Sequence, residues 1–201
     1  GKPAATINAN LTAGLNLTAA RRLSENLGIA FIGDSKGGAF EIDGKAADLL
    51  LAHPNPHGRS NRDVVRPWVN GHDVSGRPLQ RWIVDFGTKM AREEAALYQA
   101  PYELVAERVR PHRVTSQRDA YAQNWWIHEE ARPGLRAALE GLWRYLVTIR
   151  HSKHRLFVWR PAETLADHRL IVFARDDDYT FGGLHSRGHE LWARRKGGHL
   201  E

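Results

Sequence analysis

Cysteine is absent from this chain of 201 residues, which excludes disulfides and thiolate chemistry and suits a reducing, cytoplasmic setting. No apolar run approaches the ~20 residues that a membrane helix needs, and no signal peptide opens the chain, so no membrane partner is expected. Internal repeats and low-complexity linkers are also missing. So are a Gly-rich phosphate loop, a Ser/His/Asp arrangement and a nuclease PD…ExK pattern. The segment shows no active site of its own, and no catalytic residue, metal or cofactor is assigned to it.

What is present is a basic, ordinary globular composition. Hydrophobic residues make up 42% and charged residues 26%, with 29 Lys+Arg against 23 Asp+Glu, a net charge of +6. This length holds one large domain or two small ones. The charge sign favours an anionic partner, most commonly nucleic acid.

Residues 61–87 organise the chain. Val64 and Val65 lead into Arg66-Pro67, and proline permits an edge strand rather than a central one. Asn70-Gly71 supplies a tight turn. Trp82-Ile83-Val84-Asp85-Phe86 reads as a mostly buried strand ending at Gly87. Asp85 is the odd residue there. With no second carboxylate nearby in sequence, a solvent-facing position or a pair with Arg66 or Arg81 ranks above a catalytic acid.

Around this stretch, residues 1–27 form a lead-in with a short helix near 18–26. Two short strands within 28–42 are joined by a turn at 35–38. Asp43 caps a helix through 51 with Ala47, Leu50 and Leu51 on one face. Helices follow over 89–99, from Pro101 with Tyr102, Val105, Ala106 and Val109 in register, and from Pro133 with Leu135, Leu139, Leu142 and Trp143 as its stripe. Residues 145–149 and 156–159 form a hairpin, 170–174 a strand, 176–178 a solvated acidic loop, and 184–196 a closing helix. The fold class is α+β, a mixed, twisted sheet and hairpin core with flanking helices.

Acidic residues are missing between 141 and 162, where Arg144, Arg150, Lys153, Arg155 and Arg160 all fall. The hairpin therefore carries a basic loop. Arginine's fork matches guanine O6/N7 or a phosphate, and a basic β-ribbon can read the major groove. Nucleic-acid contact ranks ahead of a chance run of like charge. A second basic stretch, Arg108, Arg110, His112, Arg113 and Arg118, precedes Trp125-Trp126. The tryptophans fit packing better than base stacking. His185 and His189 have helical metal-pair spacing without a third ligand, so Ser186 as a helix cap is the preferred reading. The Asn55-Pro56 segment lacks the second proline and aromatic ring of an Asn-Pro-Pro-Tyr motif. His53, His57 and His72 are expected on the surface.

The ordered series VVRPWVNGHDV, RWIVDFG, VRPHR, NWW, RHSKHRLFV and DDDYTFGGLHSRGHELWARR resembles the target recognition domain of single-chain adenine-specific DNA methyltransferases. These belong to bacterial restriction–modification and phage-defence systems, as type IIG/IIL enzymes and methyltransferase-only relatives. The resemblance covers most of 28–196 and implies a target recognition domain at 28–199, with lobes near 28–110 and 111–199. It implies sequence-specific double-stranded DNA as partner, with a methyltransferase domain of the same parent chain. That parent would use S-adenosylmethionine for adenine-N6 methylation, and Mg2+ if a nuclease domain is present. Leu200-Glu201 continues no pattern and reads as an expression-tag scar on a piece of a longer chain.

Joined to the charge reading, the resemblance assigns base readout to Arg150, Ser152, Lys153, His154 and Arg155. The DNA backbone falls to Arg110, Arg113, Ser186 and Arg187. The alternatives are a protein-interaction domain docking through tryptophans and an RNA-binding module.

Overall fold

An apolar strand, Leu170–Phe173 (LIVF), lies at the heart of one of two four-stranded sheets in the computed structural model, which describes residues 21, 23–116, 118–152 and 155–196. The chain divides into two compact units. One is residues 29–176; the described parts of the other are residues 21, 23–28 and 177–196.

In the larger unit, the first sheet has the order β2-β4-β3-β7, with β2 (Glu41–Ile42), β3 (Val65–Val69), β4 (Arg81–Val84) and β7 (Leu165–Ala166). The β3–β7 pair is parallel and the others are antiparallel. Ile83, Val84, Phe86, Val65 and Trp68 bury themselves here against α1 (Gly44–Ala52) and α4 (Gln99–Arg108), together with Phe40, Val105 and Val109. Both Trp125 and Trp126 join this core, their rings edge-on at 5.8 Å, as packing predicts. The second sheet is wholly antiparallel, in the order β1-β8-β5-β6: β1 (Ala30–Ile32), β8 (Leu170–Phe173), β5 (Arg144–Ile149) and β6 (Val158–Pro161). Tyr145, Val147, Leu170 and Val172 alternate onto one face and pack on Val69, Ala166 and Leu135 of α7 (Pro133–Leu139). The architecture is α+β, as expected.

Local signals held where chemistry was local. Asp43 accepts from the Ala46 amide at 2.9 Å and starts α1. Pro133 opens α7, and the hairpin forms with Leu146 opposite Trp159.

Several expectations gave way to tertiary contacts. The two short strands expected within 28–42 are present as β1 and β2, but they belong to different sheets, β1 pairing with β8 and β2 with β4. Between them, Asp34 bonds through its backbone to Ala166 and His168, and Ser35 to Glu130. Gly33 makes this crossing possible, since a Cβ there would lie 2.3 Å from the Asp167 carbonyl oxygen. Asn70 caps a helix, α2 (Gly71–Ser75), instead of making a hairpin turn; its side chain takes the His72 amide while Asp73 takes the Asn70 amide, a capping box. Strand β3 is flanked on both sides, but β7 pairs only with Trp68 and Val69, so Pro67 still sits where that side is open.

The helix expected over 89–99 shrinks to α3 (Arg92–Ala95). Pro111 lies within a short helical turn, α5 (Arg110–Arg113), and is followed by α6 (Asp119–Gln123). Helix α7 stops at Leu139, leaving Trp143 67% exposed.

In the smaller unit, the described part of the expected 18–26 helix is a 3₁₀ turn at Ser24–Asn26. The acidic run 176–178 begins a helix, α8 (Asp178–His185), with Asp177 accepting from the Thr180 amide at 2.7 Å. Ser186 separates it from α9 (Arg187–Lys196). The closing helix is thus two. No helix among the described residues is long and apolar enough to cross a membrane.

Candidate nucleic-acid interface

The hairpin of β5 and β6 distributes its basic run between two tasks. Arg144 lies between Trp143 and Trp159, 4.3 and 3.8 Å from their ring centroids, and its Nε donates to the Asp176 carbonyl. Arg160 donates to the Asp73 carbonyl at 3.1 Å. These two fasten the hairpin base. Arg150, His151, Ser152 and Arg155 are exposed at the other end, while Lys153 and His154 lie outside the described residues. Phe157 turns inward where the loop returns, buried and edge-on to Phe173 at 5.6 Å.

The tip has a neighbour that the sequence reading missed. The β5–β8 register pairs Ile149 with Leu170, and beyond it the Arg150 amide donates to the Arg169 carbonyl at 2.8 Å. Arg150 and Arg169 are therefore opposed on adjacent strand ends, both exposed. Like charges directly opposite destabilise a sheet, and among the described residues no ion pair neutralises either guanidinium. The two sit 19 positions apart in sequence, so only strand pairing brings them together. Nothing in the local sequence around His168-Arg169 gave a signal.

The four expected backbone contacts occupy different surroundings. Arg110 is exposed with its guanidinium 5.7 Å over the Trp125 ring. Arg113 departs from expectation, being only 5% exposed. It donates to the carbonyls of Gly37, Ile127 and Lys36 at 3.2, 3.0 and 2.7 Å, and burial pushes its guanidinium below the ordinary range. Its donors are committed to holding loops together. In the smaller unit, the Ser186 hydroxyl accepts from the His189 amide at 3.1 Å, the expected cap, and Arg187 is exposed in the first turn of α9. His185 and His189 each direct Nδ1 to a backbone carbonyl, of Phe181 and Leu184.

Asp85 lies in a buried ionic cluster. Arg136 grips it at 2.6 and 3.0 Å and also reaches Asp34, while Arg66 stands 3.7 Å away. His128 Nε2 donates to the Val84 carbonyl at 2.9 Å and Nδ1 faces Asp34 at 3.4 Å. Burial alone would raise the Asp85 pKa, yet the charges of His128, Arg136 and Arg66 hold it below the ordinary carboxylate range. Burial likewise works against the Arg136 charge, and the two carboxylates more than offset it, so its proton is held above the ordinary range. Of the two pairings expected, the Arg66 contact is present, though Arg136 is the principal partner. The second carboxylate missing from the sequence neighbourhood arrives as Asp34. Asp34, Asp85 and His128 place possible ligand atoms within 4.8 Å of one another, but the Arg136 guanidinium already supplies the neutralising cation. Among the described residues this cluster binds the core together. Asn55 is similarly structural, bonded to Asn61, the Arg59 carbonyl and the Gln99 amide.

No protein-family profile matches the chain, and no curated protein does. Among solved structures, the chain is similar to part of the type IIL restriction–modification enzyme MmeI, solved in complex with DNA, with a TM-score of 0.66 and 18% identity. The match covers 98% of this chain and 26% of that one, so the chain spans about a quarter of the enzyme's length. At this identity the shared property is the fold.

Proposed function

We propose that this chain is a recognition domain for double-stranded DNA, belonging to a restriction–modification or phage-defence adenine-N6 DNA methyltransferase. The observation that carries the reading is the fold likeness over 98% of the chain to part of an enzyme solved with DNA. The exposed basic hairpin end supports it. In this reading Arg150, Ser152, Lys153, His154 and Arg155 meet base edges, where an arginine fork discriminates guanine. Arg169 joins them at the strand end. Arg110, Ser186 and Arg187 contact phosphates, whereas the buried Arg113 shapes the scaffold. The methyl donor, S-adenosylmethionine, and any nuclease Mg2+ would be held by other domains of the parent. The domain's part is to fix the site while the catalytic domain extrudes the adenine.

The test is selection from a randomised duplex library with this chain, followed by sequencing, at two salt concentrations. Enrichment of one short motif is the expected result. Salt-sensitive capture without enrichment would reduce the reading to a basic DNA-binding surface, and no capture at low salt would overturn it.

One observation favours a protein-docking role instead: Trp143 is 67% exposed at the hairpin base. The RNA reading loses its main support, because Trp125 and Trp126 are buried and present no ring face to an unpaired base.

A further inference from the structure

A cavity of about 450 Å³ opens between the 37–39 segment, the end of α4, α5 and the start of α6. Its lining includes Arg108, His112, Arg113 and Arg118, with Glu129 as the only carboxylate among the described residues there. Glu129 is engaged by Arg118 at 3.1 Å, and Arg118 also donates to the Tyr121 hydroxyl at 3.1 Å. Arg113 forms a fixed floor through its three carbonyl bonds. The Tyr121 ring stands beside both arginines, 5.6 Å from Arg113 and 5.2 Å from Arg118.

The wall is kept open by backbone. Gly37 has φ of +61°, and a Cβ there would lie 2.5 Å from a Glu129 carboxylate oxygen; one at Gly38 would lie 2.9 Å from Val109. Arg108 and His112 are exposed on the rim, and neither side chain has a hydrogen bond or ion pair among the described residues. The cavity therefore holds an excess of donors over acceptors, two of them unengaged, over a rigid cationic base.

We infer that this cavity is a phosphate site, with Arg108 and His112 as its ligating groups and Arg113 as the charge beneath. A phosphate presents several acceptor oxygens, and an arginine fork meets two of them with charge-assisted hydrogen bonds. The phosphate comes either from the backbone of the duplex, which rests on the function proposed above, or from a free phosphorylated small molecule.

The experiment uses the full chain, its Arg108→Ala/His112→Ala variant, and two probes: pyrophosphate, followed by NMR of arginine Nε–Hε and histidine ring signals, and a short mixed-sequence duplex. Both substitutions are on the exposed rim, and matched melting curves check that the fold is kept. The expected result is saturable pyrophosphate shifts at Arg108 and His112 and at the neighbouring Arg113 and Arg118, the last two no longer shifting in the variant. For a DNA source, the variant also binds the duplex about tenfold more weakly or worse, with its salt slope reduced by about one unit. Unchanged duplex binding with lost pyrophosphate binding identifies a free phosphate compound. Absence of pyrophosphate shifts together with unchanged duplex affinity overturns the site. Should the unaltered chain bind no duplex, the DNA reading falls, and pyrophosphate still decides the cavity.

Discussion

Arg113 and Asp85 show how a charged side chain can be diverted from the surface by what surrounds it. Removing Arg113 strands three carbonyls that it now satisfies, and an unsatisfied buried polar group costs roughly 1–3 kcal/mol. Arg113→Ala should therefore lower the melting temperature strongly. A variant that melts like the parent yet shows a flattened DNA salt slope would return Arg113 to a phosphate role. The Asp85 carboxyl is held below its ordinary range, so the folded state releases its proton more readily than the unfolded chain. Its stabilisation is complete above the unfolded pKa of about 3.9 and is lost as pH falls through the folded value. Acid titration should show this loss below about pH 4, and Asp85→Asn should unfold already at neutral pH under milder denaturant. An unaltered acid limb in that variant would remove Asp85 as its cause.

At the scale of elements, the hairpin separates structural from exposed arginines. Arg155→Ala should relax specificity at one base pair, costing ~1–3 kcal/mol against the preferred base; a uniform loss across sequences would make it a phosphate contact. Arg169 opposes Arg150 across β5 and β8, so Arg169→Ala should relieve like-charge repulsion and leave stability equal or slightly higher. The same variant should weaken duplex binding. Lower stability with intact binding would mean the residue is structural. The hairpin itself was legible because short apolar runs in β5 and β6 flank a polar loop. The opposition of Arg150 and Arg169 was not, since it depends on the pairing of β5 with β8, a strand remote from it in sequence.

For the molecule as a whole, the net charge of +6 and the exposed basic end predict that duplex binding falls steeply between low and physiological salt. The slope of log affinity against log salt should approach −0.9 per phosphate contacted. A flat response would favour docking of a protein through Trp143. Binding at physiological salt should be weaker for this chain than for a longer one that also grips the duplex elsewhere, which a titration of both would measure.

The sequence by itself determined the α+β class, the Asp43 cap, the Pro133 helix start, the hairpin, and the packing role of Trp125 and Trp126. The cap, the helix start and the hairpin depend on residues near one another in sequence, where backbone sterics and apolar runs suffice. Tertiary structure decided the rest. It sent β1 and β2 to different sheets, enclosed Arg113, and assembled Asp34, Asp85, His128 and Arg136 from three distant segments. In each case a long-range hydrogen bond or ion pair in a water-poor interior outweighed a local preference, because leaving those buried polar groups unpaired would cost more than a turn propensity supplies.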